Sequence, residues 1–258
     1  MDTQGTAITP SGEIVGRYFT FDGTNFHGHG FLFTNGQFQP IDFPGAISTD
    51  VTYINPRGEI VGTYDLADGK DHGYILRDGT FTSIDFPGAA GTDGFGIGPN
   101  GEVVGQWFDQ AGQAHGYVLD KQGKFTQVDV PGYQTAVTQI TSGRMIGDYT
   151  KNFTTVHGFV VKNGKFQSID FPAFGVFPAC QTSFVSGLNP EGDIVGGCIR
   201  GFLNENGWLV KDGEFVPINY PNSLSTYANG INPQGQIVGR YSINDGHFNH
   251  GFLLTWQP

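Results

Sequence analysis

Short runs of alternating apolar and polar residues, each closed by glycine, proline, asparagine or aspartate, follow one another along the whole chain. The stretch from Thr49 shows the unit most clearly. Thr49-Asp50-Val51-Thr52-Tyr53-Ile54 is followed by Asn55-Pro56-Arg57-Gly58, then by Ile60-Val61-Gly62-Thr63-Tyr64. A polar loop leads to His72-Gly73-Tyr74-Ile75-Leu76, and Asp78-Gly79 leads to Phe81-Thr82-Ser83-Ile84-Asp85-Phe86-Pro87-Gly88. These runs are short and rich in β-branched and aromatic residues, and they lie between turn signals, so the pattern predicts four strands. Asn-Pro-x-Gly supplies a tight turn and Asp-Gly a hairpin, and the proline after the fourth run ends ladder pairing.

The unit recurs at intervals of about 43 residues. The glycine of Ile-Val-Gly returns at Gly16, Gly62, Gly105, Gly147, Gly196 and Gly239, and the proline of Phe-Pro-Gly at Pro44, Pro87, Pro131, Pro172 and Pro221. Four antiparallel strands per copy make a propeller blade, which buries its faces only against neighbouring blades. The expected fold is all-β: one domain over 1–258, a six-bladed β-propeller with repeats at about 1–45, 46–88, 89–132, 133–173, 174–222 and 223–258. The last copy stops at Gly251-Phe252-Leu253-Leu254-Thr255 without a fourth run, so blade six is expected to be incomplete. A five-bladed ring is the alternative, but its surplus strands would leave open edges.

The succession Ile-Asn-Pro-x-Gly-x-Ile-Val-Gly, His-Gly-Phe-Leu and Gly-x-Phe-x-x-Ile-Asp-Phe-Pro-Gly resembles the bacterial extracellular HAF-repeat proteins, with glycine in place of the alanine of His-Ala-Phe. The resemblance covers nearly the whole chain. It implies a secreted or cell-surface propeller and carries no general biochemical activity.

Composition narrows the partners. A net charge of -11 without any Lys/Arg cluster disfavours nucleic acid and anionic membranes. No apolar run approaches a bilayer span, and the first residues lack the pattern of a secretion signal.

In a repeat ring, a residue found in every blade serves the blade, whereas a residue that breaks the pattern is a candidate for specificity. His29, His72, His115, His157 and His250 recur at one position, and Asp42, Asp85, Asp129 and Asp170 at another. Successive blades hold the histidines too far apart for one metal, so a buried histidine bonded within its own blade is expected. Blade five changes both positions to Asn206 and Asn219, which suggests that the two groups touch elsewhere. The hydroxyls Thr3, Thr49, Thr92, Thr135, Ser183 and Thr226 are expected to cap strands. The following position varies: Gln4, Asp50, Asp93, Ala136, Phe184, Tyr227. So does the end of the second strand: Arg17, Thr63, Gln106, Asp148, Gly197, Arg240. Both series are expected on the side that carries the longer loops, around a channel mouth, where binding sites favour loops on a rigid scaffold.

Arg17, Gln106, Phe184, Tyr227 and Arg240 are therefore the candidate ligand-binding residues. Asp50, Asp93 and Asp148 are the catalytic candidates should the chain be a glycoside hydrolase or polysaccharide lyase, since paired carboxylates divide acid and base work. The leading expectation is a non-enzymatic module for a polar small molecule or glycan, and a purely structural surface module is the third reading. No cofactor is expected: Asp65–Asp71 alternates oxygen ligands but misses the spacing of a calcium loop. Cys198 takes the place of the aromatic residue at Tyr18, Tyr64, Trp107, Tyr149 and Tyr241. The repeat puts it beside Cys180 in the long aromatic connection, so a disulfide and an oxidising compartment, extracellular or periplasmic, are expected. Phe174, Phe177 and Phe184 are expected to cover or plug the mouth.

Overall fold

A computed structural model describes residues 3–152, 155–173, 180–200, 204–243 and 250–255. The aromatic loop positions Phe174 and Phe177 lie outside the described residues. Blade one is β1 (Thr3–Ile8), β2 (Ile14–Phe21), β3 (Phe26–Thr34) and β4 (Gln37–Ile41). Blade two is β5 (Ser48–Ile54), β6 (Ile60–Asp65), β7 (Asp71–Arg77) and β8 (Thr80–Ile84). Blade three is β9 (Gly91–Ile97), β10 (Val103–Phe108), β11 (Ala114–Leu119) and β12 (Phe125–Val128). Blade four is β13 (Gln134–Thr141), β14 (Arg144–Thr150), β15 (Val156–Lys162) and β16 (Lys165–Ile169). Blade five is β17 (Thr182–Leu188), β18 (Ile194–Arg200), β19 (Asn204–Lys211) and β20 (Glu214–Ile218). Among the described residues blade six has three strands, β21 (Ser225–Ile231), β22 (Gln236–Ser242) and β23 (His250–Thr255). Strands follow chain order within each sheet and neighbouring strands pair antiparallel, as in β5–β6, β6–β7 and β7–β8, so the chain is a six-bladed β-propeller with the incomplete last blade its sequence predicts. It divides into two compact units, Met1–Asp129 with Gln134–Ile140, and Val130–Tyr133 with Thr141–Pro258.

The turn chemistry performs as its residues require. Asn35-Gly36, Asp78-Gly79, Asn163-Gly164 and Asp212-Gly213 all have positive φ at both positions, the backbone of a two-residue hairpin. Asn55 does more than open a turn. Its Oδ1 accepts the Arg57 and Glu59 amides at 2.9 and 3.1 Å, while its Nδ2 donates to Gly98 O of the next blade at 3.0 Å.

The Ile-Val-Gly glycine has a packing reason. A β-carbon on Gly62 would collide with Asp50 O and would stand 2.8 Å from the Tyr74 ring, and Gly105 meets Asp93 O and Tyr117 in the same way. The Tyr74 and Tyr117 hydroxyls donate to those same carbonyls at 3.3 and 3.0 Å. Each tyrosine is fully buried, and burial raises its hydroxyl pKa.

The histidine–aspartate contact is present in four blades: His29–Asp42 at 2.9 Å, His72–Asp85 at 2.6 Å, His115–Asp129 at 2.8 Å and His157–Asp170 at 3.0 Å. The imidazoles lie at the edge of the blade rather than in its interior, and each stacks on the aromatic residue at the end of the second strand, as His72 does on Tyr64 at 5.1 Å. The aromatic next to the aspartate serves the following blade. Phe43 stacks on Tyr64 at 3.6 Å and Phe86 on Trp107 at 4.3 Å. The Asp-Phe dipeptide thus closes one blade and packs the next. Its phenylalanine amide is capped by the next blade's hydroxyl: Phe43 N–H by Thr49 at 3.0 Å, Phe86 N–H by Thr92 at 3.0 Å, and Phe171 N–H by Ser183 at 3.1 Å.

Blade five substitutes covalent chemistry for the stack. Cys198, fully buried, is bonded to Cys180 and shares a core with Phe171, Val185, Trp208 and Val210, against which Cys180 packs. No helix among the described residues is long and apolar enough to cross a membrane.

Candidate functional site

The two variable series are cross-strand partners. Gln4 faces Arg17, Asp50 faces Thr63, Asp93 faces Gln106, Phe184 faces Gly197 and Tyr227 faces Arg240. Opposed residues of an antiparallel pair project to the same side, so each pair is one chemical unit at the loop-side end of an inner strand.

These units also reach the next blade. The Arg17 guanidinium meets the Asp50 carboxylate at 3.4 Å and donates to Gln4 Oε1 at 3.2 Å. Thr63 accepts the Gly94 amide at 3.3 Å, and Asp148 accepts the Val185 amide at 3.1 Å. Thr63 and Asp148 therefore hold one blade to the next through the same backbone position. At Gly197 there is no side chain, and the Tyr227 ring of the next blade fills the space a β-carbon would take. The Tyr227 hydroxyl accepts from Ser186 at 3.2 Å, and the Arg240 guanidinium lies over its ring at 4.8 Å.

In the first unit the structure brings Arg17, Asp50, Asp93 and Gln106 together with the two ends of the segment whose spacing fails as a calcium loop. Asp65 and Asp71 are cross-strand partners at the open end of β6 and β7. Burial, the Asp71 carboxyl and the charges of Asp50 and Asp93 push Asp65 up to about 6. Asp93 is nearly enclosed, at 9% exposure. Burial, with the charges of Asp71 and Asp50, pushes it up to about 6 against the hydrogen bonds from Gln106 (2.7 Å) and Thr63. Asp50 Oδ1 is shielded from solvent and accepts no hydrogen bond from the described residues. The result is a cluster of four carboxyls beside one guanidinium, in which Asp65 and Asp93 keep their protons to a higher pH than an ordinary carboxyl.

In the second unit Tyr227 and Arg240 come together as a stacked pair. Phe184 is half-buried opposite Gly197. Asp148 is half-buried, with its carboxyl pushed up to about 7 by desolvation despite the Val185 amide. Among the described residues there is no cluster of His, Cys, Asp or Glu arranged to hold a metal ion. In the Asp65–Asp71 hairpin, Asp68 Oδ1 accepts the Lys70 amide at 3.1 Å and Asp68 Oδ2 contacts His72 at 3.4 Å.

The signal for Asp65 was available in the repeat. Its counterparts are Phe19, Phe108, Thr150, Ile199 and Ser242, so blade two alone has an acid there. What the repeat could not give was the register that sets Asp71 opposite it and Asp93 within its field.

The fold defines the class as a six-bladed β-propeller, and comparison with solved structures agrees. The chain is similar to TolB from Acinetobacter baumannii, with a TM-score of 0.60 and 15% identity over 84% of this chain and 55% of that one. It is similar to the β-propeller domain of the Trilobed protease from Pyrococcus furiosus, with a TM-score of 0.54 and 9% identity over 99% of each chain. It is also similar to virginiamycin B lyase from Staphylococcus aureus, with a TM-score of 0.54 and 14% identity over 95% of this chain and 78% of that one. The chain thus spans about half the length of TolB, and at these identities the likeness is one of fold. No protein-family model matches the chain, and no curated protein matches it.

Proposed function

We propose that this propeller is a secreted or cell-surface binding module, of the HAF-repeat kind, that recognises a polar ligand such as a glycan at the loop-side ends of its inner strands. One observation carries the reading. Asp93 of blade three is enclosed, raised to about 6 and set among Asp50, Asp65 and Asp71 of blade two, whose sequence alone has a carboxylate at both the Asp50 and the Asp65 repeat positions. Holding like charges together in a low-dielectric setting costs stability, and a repeat scaffold gains nothing from it. Polyol hydroxyls suit such a cluster, because protonated carboxyls donate to them and ionised ones accept from them. The disulfide supports an extracellular or periplasmic setting. Binding to an array of oligosaccharides, weakened by Asp93→Asn and by Arg17→Ala, tests the proposal. Binding that ignores both replacements refutes the placement of the site.

A second reading is a carbohydrate hydrolase or lyase. It draws on the raised pKa of Asp93, which suits a general acid, beside Asp50 with its guanidinium partner. Turnover of a polysaccharide that dies with Asp93→Asn or Asp50→Asn, while binding survives, would select it. Intact folding with neither binding nor turnover would leave a structural surface module.

A further inference from the structure

Blade one departs from the repeat at its second hairpin. Beyond the Tyr18–His29 pair it adds three cross-strand pairs, Phe19–Gly28, Thr20–His27 and Phe21–Phe26, where blade two adds one pair beyond Tyr64–His72. The extension is aromatic. Phe21 and Phe26 meet at 4.8 Å at its tip, yet they remain 55% and 74% exposed. A cross-strand aromatic pair would stabilise a hairpin wherever it lay. This one shares its face with chemistry that does not serve the blade.

Alternation along β2 and β3 sets Arg17, Phe19 and Phe21 on one side with Phe26, Gly28 and Gly30. The Arg17 guanidinium lies 5.7 Å from the centre of the Phe19 ring. At Gly28 the chain passes close against its neighbours: a β-carbon would collide with Ser48 Oγ and would stand 3.5 Å from the Phe19 ring and 3.6 Å from Asp50 Oδ1. Asp50 Oδ1 is the shielded oxygen that accepts no hydrogen bond from the described residues. One face therefore runs from two solvent-facing aromatic rings, past Gly28 and the Ser48 hydroxyl packed against it, to the half-exposed Asp50 carboxylate and Arg17 guanidinium. A buried acceptor left unpaired costs free energy that a ligand donor would recover.

We infer that this hairpin is the aromatic platform of a saccharide site, with the C–H face of a sugar ring on Phe21 and Phe26 and its hydroxyls turned toward Ser48, Asp50 and Arg17. The inference rests on the binding function proposed above and names its ligand class. A ring with one apolar face and polar edges matches the surface, whereas an inorganic ion would leave the aromatic rings bare and a purely apolar ligand would leave Asp50 Oδ1 unpaired.

The test uses an oligosaccharide array followed by titration of the best binder against the whole chain and three variants: Phe21→Ala/Phe26→Ala, Phe26→Trp and Asp93→Asn. Both phenylalanines are exposed, so unchanged circular dichroism is expected for the double variant. The inference expects its affinity to fall about tenfold or more, the scale of a lost aromatic contact, and Phe26→Trp to retain binding. Saccharide binding indifferent to the double variant would overturn the platform and leave the binding function standing. So would binding of a non-saccharide polar compound alone, provided it is sensitive to Asp93→Asn. No binding to either kind of compound would overturn both.

Discussion

Replacing Asp93 by asparagine should make the protein more stable at neutral pH and leave it nearly unchanged in acid. The carboxyl is raised from 3.8 to about 6, chiefly by burial. In the unfolded chain the group ionises near 3.8. Between there and about 6 the folded state holds more protons than the unfolded state, so stability falls as pH rises through that window and levels off above it. At 9% exposure there is little solvent to screen the penalty, and the displacement corresponds to about 3 kcal/mol at most. Asparagine keeps an oxygen to accept from Gln106, so the bond now 2.7 Å long is preserved while the charge is removed. Urea denaturation of both proteins at about pH 4 and about pH 8 measures the difference. The expected gain is close to zero at the lower pH and about 1–3 kcal/mol at the higher. Parallel pH profiles, or a variant weaker at the higher pH, would refute the claim that Asp93 is held against its own ionisation.

Other consequences follow from the repeat. Around His72 burial works against the imidazolium, but the Asp85 bond and charge, with help from Asp68, raise its pKa above the ordinary value. The contribution of the pair should be full below the unfolded histidine pKa and should fade as pH rises through the folded one. A double-mutant cycle of His72→Asn and Asp85→Asn should return a coupling of about 0.5–1.5 kcal/mol at pH ~5.5, where the imidazole is protonated and the carboxylate ionised, and additive losses would deny the contact. Replacing both Cys180 and Cys198 by serine should cost about 3 kcal/mol, since the bond closes a sequence separation of 18 residues; calorimetry with and without reductant checks it. Gly62→Ala should lower stability by more than about 2 kcal/mol, because its β-carbon meets Asp50 O and the buried Tyr74 ring. Gly79→Ala touches nothing and should cost only the strain of its positive φ, so a larger loss at Gly79 than at Gly62 would contradict the packing argument.

The architecture was legible in the sequence because each blade repeats the same local instructions. Asp-Gly and Asn-Gly set hairpins, the glycine of Ile-Val-Gly makes room for the third-strand aromatic, and the missing fourth run appears as a three-stranded last blade. The His–Asp contacts and the Cys180–Cys198 bond were legible too, since substitutions at paired repeat positions betray which residues touch. The candidate site was legible only in part. Comparing repeats singled out Asp50, Asp93, Arg17 and Gln106, because difference from the repeat needs no coordinates. It did not give the cross-strand register that opposes the two variable series, the reach of Arg17 and Thr63 into the next blade, or the burial that raises Asp93. It also passed over Asp65, Asp71 and the Phe21–Phe26 pair, which read as hairpin residues along the chain. A repeat fixes which strand follows which and what packs inside a blade, because those forces act between neighbours in sequence. Proximity of side chains some 30 to 40 positions apart, and the loss of water around them, arise only when blades stack.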